Sequence, residues 1–192
     1  MRKIKSIAAS VMAMALCSCV NEDFPQVREL AERIIPEHHE SFVFEEIADS
    51  SDCYEISMEG EKVLIRASNA NSAAVGLNHY LKNYCLTTVS WDARNPIQMP
   101  EELPAVEGIV KVNAHCGDRF FLNYCTFGYT MPWWGWNEWE RFIDWMALNG
   151  VTMPLANTGV EAVWQKVWRK HGLTDQQIRS YFTGPAHLAW HR

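Results

Sequence analysis

The sequence predicts an α/β protein in two parts, a small sheet-and-helix sandwich followed by parallel strands joined through helices. Three observations carry this. Residues 54–58 and 62–67 alternate apolar and polar side chains on either side of a Glu59-Gly60-Glu61 turn, which is a hairpin pattern. Stretches with apolar residues at helical spacing flank the hairpin, at 26–35 and 71–84. Beyond residue 118 the pattern runs strand, helix, strand, helix, which implies parallel strands with crossover helices.

Taken in order, residues 26–35 place Val27, Leu30, Ile34 and Ile35 at helical spacing, and Pro36 stops that helix. Phe42-Val43-Phe44 reads as a strand, and the hairpin follows. From Asn71 to Tyr84, Ala74, Leu77, Leu81 and Tyr84 share one helical face. Residues 95–108 hold three prolines and read as loop, followed by a short strand at 109–112. Together these elements form an N-terminal α/β domain over 24–112.

Arg119 to Phe127 (RFFLNYCTF) is nearly all apolar, as expected of a strand buried on both faces. A loop at 128–135 leads to Asn137, an N-cap with Glu140 three residues on, which is a capping box. That helix runs to Leu148, and Asn149-Gly150 supplies a left-handed stop. Residues 151–156 read as a second strand, although Pro154 lacks an amide donor. A helix at 158–170 follows, closed by Gly172. Thr174 with Gln177 forms a second capping box and opens a third helix to about Phe182.

Hydrophobic residues make up 48% of the 192, enough for a packed core. The formal charge of −6, without a basic cluster, argues against a nucleic-acid partner. The chain opens MRKIKSIAASVMAMALCSCV. Arg2, Lys3 and Lys5 precede an apolar run at 7–16 that is too short to span a bilayer, so residues 1–18 read as an export signal. Leu16-Cys17-Ser18-Cys19 looks like a bacterial lipobox with Cys19 as the lipidated residue, and residues 19–23 as a tether. The expectation is an exported chain, lipid-anchored to a bacterial membrane on its periplasmic or cell-surface side. Removing residues 1–18 takes three of the 17 basic residues and leaves 14 against 23 acidic, a charge of −9. Cys53, Cys85, Cys116 and Cys125 lack metal-site spacing and read as free core thiols, although an exported chain could oxidise a pair. The histidines form no metal motif, and neither a metal nor a cofactor is expected.

In α/β barrels the ligand sits at the C-terminal ends of the strands. That rule selects residues 123–136 and 156–161. Asn123 interrupts an apolar strand, where its amide either bonds a ligand's hydroxyls or pins a neighbouring loop. Cys125, two residues on, shares its face in a strand and reads as a small pocket-lining or core residue. Five of the nine tryptophans fall between 133 and 145. Trp139, Phe142, Ile143 and Met146 share one helix face and read as core, as does the stripe Trp164, Val167, Trp168. Trp133, Trp134 and Trp136 lie in the preceding loop, as core or as a pocket wall. Glycoside hydrolysis uses two flanking carboxylates, about 5–5.5 Å apart for retention. After residue 118 only Glu161 is near a strand's C-terminal end, and one carboxylate is not a pair.

From about residue 118 the sequence resembles the start of the catalytic domain of the alpha-N-acetylglucosaminidase family. The matching stretches are Asn123-Tyr124-Cys125-Thr126, Trp133-Trp134 with Trp136, the run from Trp139 to Gly150, Gly159 to Gln165, and Phe182 to Trp190. Residues 26–112 resemble that family's small N-terminal domain. The resemblance implies the opening two to three βα elements of an incomplete (β/α)8 barrel over 118–192. A complete barrel needs about 250 residues. It also implies removal of terminal alpha-linked N-acetylglucosamine from glycans, with retention, by two glutamates that match no residue here. Asn123 and Cys125 match pocket residues, Trp190 a tryptophan lining the site, and Tyr129 a further contact. Where the family often carries Gln, this chain has Val160. The expectation is an N-terminal portion inactive alone, carrying substrate-binding but no catalytic residues. The alternative is a non-catalytic, lipid-anchored module that binds glycan or protein.

Overall fold

A computed structural model describes residues 23–93, 96–156 and 158–187. The signal, Cys19 and Trp190 expectations lie outside these residues. Helix α1 (Pro25–Ile34) opens on a proline, whose fixed φ suits the first helical turn. It buries Val27, Leu30 and Ala31. Strands β1 (Phe42–Glu46), β2 (Cys53–Glu59) and β3 (Lys62–Ala67) precede helix α2 (Ala70–Asn83), and β4 (Val110–Asn113) completes the sheet. The strand order is β1-β3-β2-β4, with β1 parallel to β3 and the other pairs antiparallel. The expected hairpin is β2–β3, in register Tyr54 to Ala67 and Ile56 to Ile65.

One sheet face is apolar. Phe44, Ile56, Val63, Ile65 and Ala67 are sealed beneath Leu77, Tyr80 and Leu81 of α2 and Leu30 of α1. The other face carries the Arg66–Glu55 and Lys111–Glu55 pairs, as befits a sheet with one solvated side. Asn69 caps α2, its carboxamide oxygen accepting the Ser72 amide at 2.9 Å. Gly76 is required where α2 meets the sheet. A Cβ there would stand 2.8 Å from a methyl of Ile65 and 3.2 Å from the Tyr54 ring.

The second part departs from expectation in its strands. β5 (Phe120–Phe121) and β6 (Met153–Pro154) pair in parallel but are two residues each, against expected spans of 119–127 and 151–156. The chain after β5 turns into a 3-10 segment, Tyr124–Gly128, because Asn123 diverts it. The Asn123 Oδ1 accepts from both the amide (3.0 Å) and the hydroxyl (2.9 Å) of Thr126. Such a local bond competes with the sheet ladder. Pro154 costs this pair nothing. The Met153 and Leu155 amides donate to the Arg119 and Phe121 carbonyls, so residue 154 faces away from β5.

Helix α3 (Trp136–Leu148) starts one residue before the expected cap at Asn137. Gly135 takes the cap position, and the Glu138 carboxylate accepts its amide at 2.9 Å. A glycine has no side chain, so only this half of the box forms. The helix ends as expected at Gly150, whose φ of +75° suits the left-handed stop. Helices α4 (Val160–Lys170) and α5 (Asp175–Tyr181) follow, the latter under the expected Thr174–Gln177 box.

Phe127, Met131, Phe142 and Met146 form a second core, walled by Trp91, Trp134, Trp139 and Trp145. Ile143, expected inside, is 45% exposed. Asp144 is buried in its stead, held by the Arg33 guanidinium of α1 at 2.7 and 2.9 Å. Val167, also expected in a core stripe, is exposed. Its helix-mates Trp164 and Trp168 pack on Tyr181 and Phe182. Among the described residues no helix is long and apolar enough to cross a membrane.

Candidate functional site

The C-terminal end of β5 delivers the chain into two successive 3-10 turns, Tyr124–Gly128 and Met131–Trp133. Phe127 and Met131 anchor them, each almost wholly buried in the second core. Backbone bonds close the turns, from the Tyr129 amide to the Thr126 carbonyl (3.2 Å) and from Trp134 to Met131 (3.1 Å). Asn123 opens the first turn and is exposed, Cys125 lies within it half-buried, and Tyr129 closes it 69% exposed. Asn123 and Cys125 therefore share a turn rather than the face of a strand. A further 3-10 turn, Pro185–His187, rests against both turns, three residues before Trp190.

The chemistry of the turn is defined by its hydrogen bonds. Both bonds from Thr126 fall on the Asn123 Oδ1, so the Asn123 Nδ2 is the group left to donate to a ligand oxygen. Trp134 is held inside, its ring 5.1 Å from Trp139 and 5.7 Å from Trp91. Trp133 and Trp136, on either side of it, point outward at 63% and 67% exposure. Glu161 sits in the first turn of α4, where a negative charge is favoured by the helix dipole. Among the described residues no group of three or more His, Cys, Asp or Glu is disposed to hold a metal ion.

Sequence reasoning missed a cleft of about 420 Å3 between the end of α1, the segment after α2 and helix α3. Arg33, Thr88, Ser90, Glu140, Arg141 and Asp144 supply its polar groups. Its walls come from three separate segments, and no local pattern announces such a site. Four described cysteines are free thiols. Cys53 is buried, as expected of a core thiol, whereas Cys116 is exposed.

Two family models match the chain. The alpha-N-acetylglucosaminidase N-terminal domain matches residues 25–105, and the TIM-barrel domain of the same family matches 119–192. The chain belongs to the alpha-N-acetylglucosaminidase family. Human alpha-N-acetylglucosaminidase is 44% identical over 131 residues, 68% of this chain and 18% of the human protein. A family 89 glycoside hydrolase from Clostridium perfringens, solved with PUGNAc, is 36% identical with a TM-score of 0.78. That match covers 88% of this chain and 20% of the other. The same organism's enzyme solved with its substrate, GlcNAc-alpha-1,4-galactose, has a TM-score of 0.76. The chain thus spans about a fifth of the length of these relatives.

Proposed function

We propose that this chain forms the N-terminal domain and the opening βα units of an incomplete (β/α)8 barrel from a bacterial exo-glycosidase. In this reading the enzyme releases terminal alpha-linked N-acetylglucosamine with retention. The carrying observation is the turn Tyr124–Gly128. It gathers Asn123, Cys125 and Tyr129 at the C-terminal end of a parallel strand, where an α/β barrel binds its ligand. Asn123 donates from Nδ2 to a sugar oxygen while its Oδ1 holds the turn. Cys125 offers a small, weakly polar wall and Tyr129 an aromatic one. The substrate reading draws support from the Clostridium relative's complex with GlcNAc-alpha-1,4-galactose.

Residues 118–192 contribute binding without chemistry, because they hold no pair of carboxylates able to flank a glycosidic bond. Asn123→Asp is the informative variant. It keeps the acceptor for Thr126 and removes the donor. The 192-residue chain is expected to bind GlcNAc-alpha-1,4-galactose saturably in calorimetry, with Asn123→Asp at least about tenfold weaker, as for one lost hydrogen bond to a sugar. It is expected to show no turnover of an aryl alpha-N-acetylglucosaminide. Equal affinity of the two proteins would overturn the pocket, and turnover the division of labour. The lipobox supports anchoring through Cys19 to the exported face of a bacterial membrane. Cys19→Ser should abolish incorporation of labelled fatty acid, and unchanged labelling would refute the anchor.

A further inference from the structure

From residue 84 to residue 109, between α2 and β4, the described chain forms no helix or strand. So long a stretch without secondary structure is uncommon in a compact domain and usually serves a function. This strap is nevertheless held. Val89, Ile97, Met99 and Leu103 pack on the first core, and Trp91 stands in the wall of the second. The Tyr80 hydroxyl donates to the Pro104 carbonyl at 2.7 Å. The strap reaches both cores without filling the gap between them, and the cleft of about 420 Å3 is that gap. Its volume is that of a small-molecule site, and such sites favour junctions between domains. The cleft holds two arginines and two carboxylates, and one pair is complete. Both Asp144 oxygens accept from Arg33, at 2.7 and 2.9 Å, so Asp144 is fully engaged. Arg141 is not. The Glu138 carboxylate stands 3.8 Å from its Nη2, beyond hydrogen-bond reach, and its Nε is buried without a hydrogen-bond partner among the described residues. A buried charged donor left unpaired is strongly unfavourable and calls for an explanation. Glu140, next to it on α3, likewise makes no hydrogen bond among the described residues.

We propose that this cleft binds a small zwitterion with an aliphatic body, of the class of free apolar amino acids. Its carboxylate meets Arg141, its ammonium meets Glu140, and its side chain lies against Ile34, Val89 and Ile97. The balance of charge selects this ligand. A plain anion would gain Arg141 but lie beside Glu140, and a dianion such as phosphate would be repelled more strongly. A plain cation reverses the conflict, and a neutral ligand leaves both charges unanswered. A molecule that carries both charges a few bonds apart satisfies both. The flat fork of a guanidinium matches a planar carboxylate. Ile34, Val89 and Ile97, with Pro36 and Pro96, give the remaining wall its apolar character. The site shares no residue with the turn after β5, and it does not depend on the sugar reading.

The test is calorimetry of L-leucine on the 192-residue chain, which is expected to bind it saturably. N-acetyl-L-leucine lacks the ammonium and L-leucinamide lacks the carboxylate. Each should bind at least about tenfold more weakly, as for one lost charged contact. Glycine, which lacks the apolar body, should lose at least about tenfold as well. Two variants separate the ends of the ligand. Arg141→Gln should remove the advantage of L-leucine over L-leucinamide, and Glu140→Gln its advantage over N-acetyl-L-leucine. Both side chains are part-exposed on α3, so far-ultraviolet dichroism should stay unchanged, and the comparison of the four probes on wild type needs no variant. Bound L-leucine should slow amide exchange at 33–36 and 88–93 and leave 123–136 unchanged. Equal binding of L-leucine and N-acetyl-L-leucine would show a simple anion site and overturns the proposal. So does L-leucine binding that Arg141→Gln leaves intact, protection elsewhere than the cleft, or no binding of L-leucine. The probe and the protected segments differ from those of the sugar. Failure here therefore leaves the turn of Asn123 standing, and failure there leaves the cleft.

Discussion

At the scale of single residues, the thiols show how position decides chemistry. Cys85, at the end of α2, is pushed up to about 11 by burial. Burial likewise raises Tyr80, which stacks on Tyr84 and bonds the Pro104 carbonyl at 2.7 Å. A folded-state value raised above the unfolded one stabilises fully below the unfolded value and is lost as pH climbs toward the folded one. For Cys85 that window runs from about 8.5, the unperturbed thiol, to 11. Chemical denaturation should therefore show stability falling across this window, and Cys85→Ala should flatten the fall. A profile identical in both proteins would show that Cys85 is not the titrating group. Asn123 was legible from sequence as an anomaly in an apolar run, with two readings left open. The bonds from Thr126 show that it pins the turn through Oδ1 and still has Nδ2 to offer. Asp144 was not legible. Its partner Arg33 lies 111 residues away, and helical periodicity carries no trace of such a pair.

At the scale of elements, local patterns that complete themselves within a few residues were readable. The β2–β3 hairpin, α2 and the Thr174–Gln177 cap of α5 depend on neighbours in sequence, and they stand close to their expected positions. The strands after residue 118 are shorter than their apolar runs predict. Apolar continuity cannot distinguish a buried strand from a 3-10 turn that sends Phe127 into a neighbouring core. Ile143 and Val167 are exposed although they lie on apolar stripes, because a stripe names a face of a helix, whereas its partner fixes the width of the contact. The helix-on-sheet layer makes a sharper prediction. Gly76 brings α2 down onto Ile65 and Tyr54, so Gly76→Ala inserts a methyl where no space exists. It should destabilise by about 1–3 kcal/mol, against the usual gain for alanine within a helix. Equal or increased stability in urea would show that the layer yields at that point.

At the scale of the molecule, polar groups bind the two parts together. Arg119 is the hub. Its guanidinium donates to the Gly150, Cys116 and Gly117 carbonyls, to Asp52 at 2.7 Å and to Asn71 at 3.1 Å. Asn78 adds a buried bond to the Leu148 carbonyl at 2.7 Å, and Arg33 its grip on Asp144. Helix α3 is thus fixed on one side by the N-terminal sheet layer, while the loop entering it carries the candidate sugar contacts. The cleft at Arg33 and Glu140 is the rival location, since it is a concavity with polar groups. Amide hydrogen exchange on the 192-residue chain, with and without GlcNAc-alpha-1,4-galactose, separates the two most directly. Slowed exchange confined to residues 123–136 is the predicted result, with the cleft segments 33–36, 88–93 and 96–97 unchanged. Protection at the cleft instead, or at neither place under saturating sugar, would contradict a terminal-sugar pocket at the end of β5.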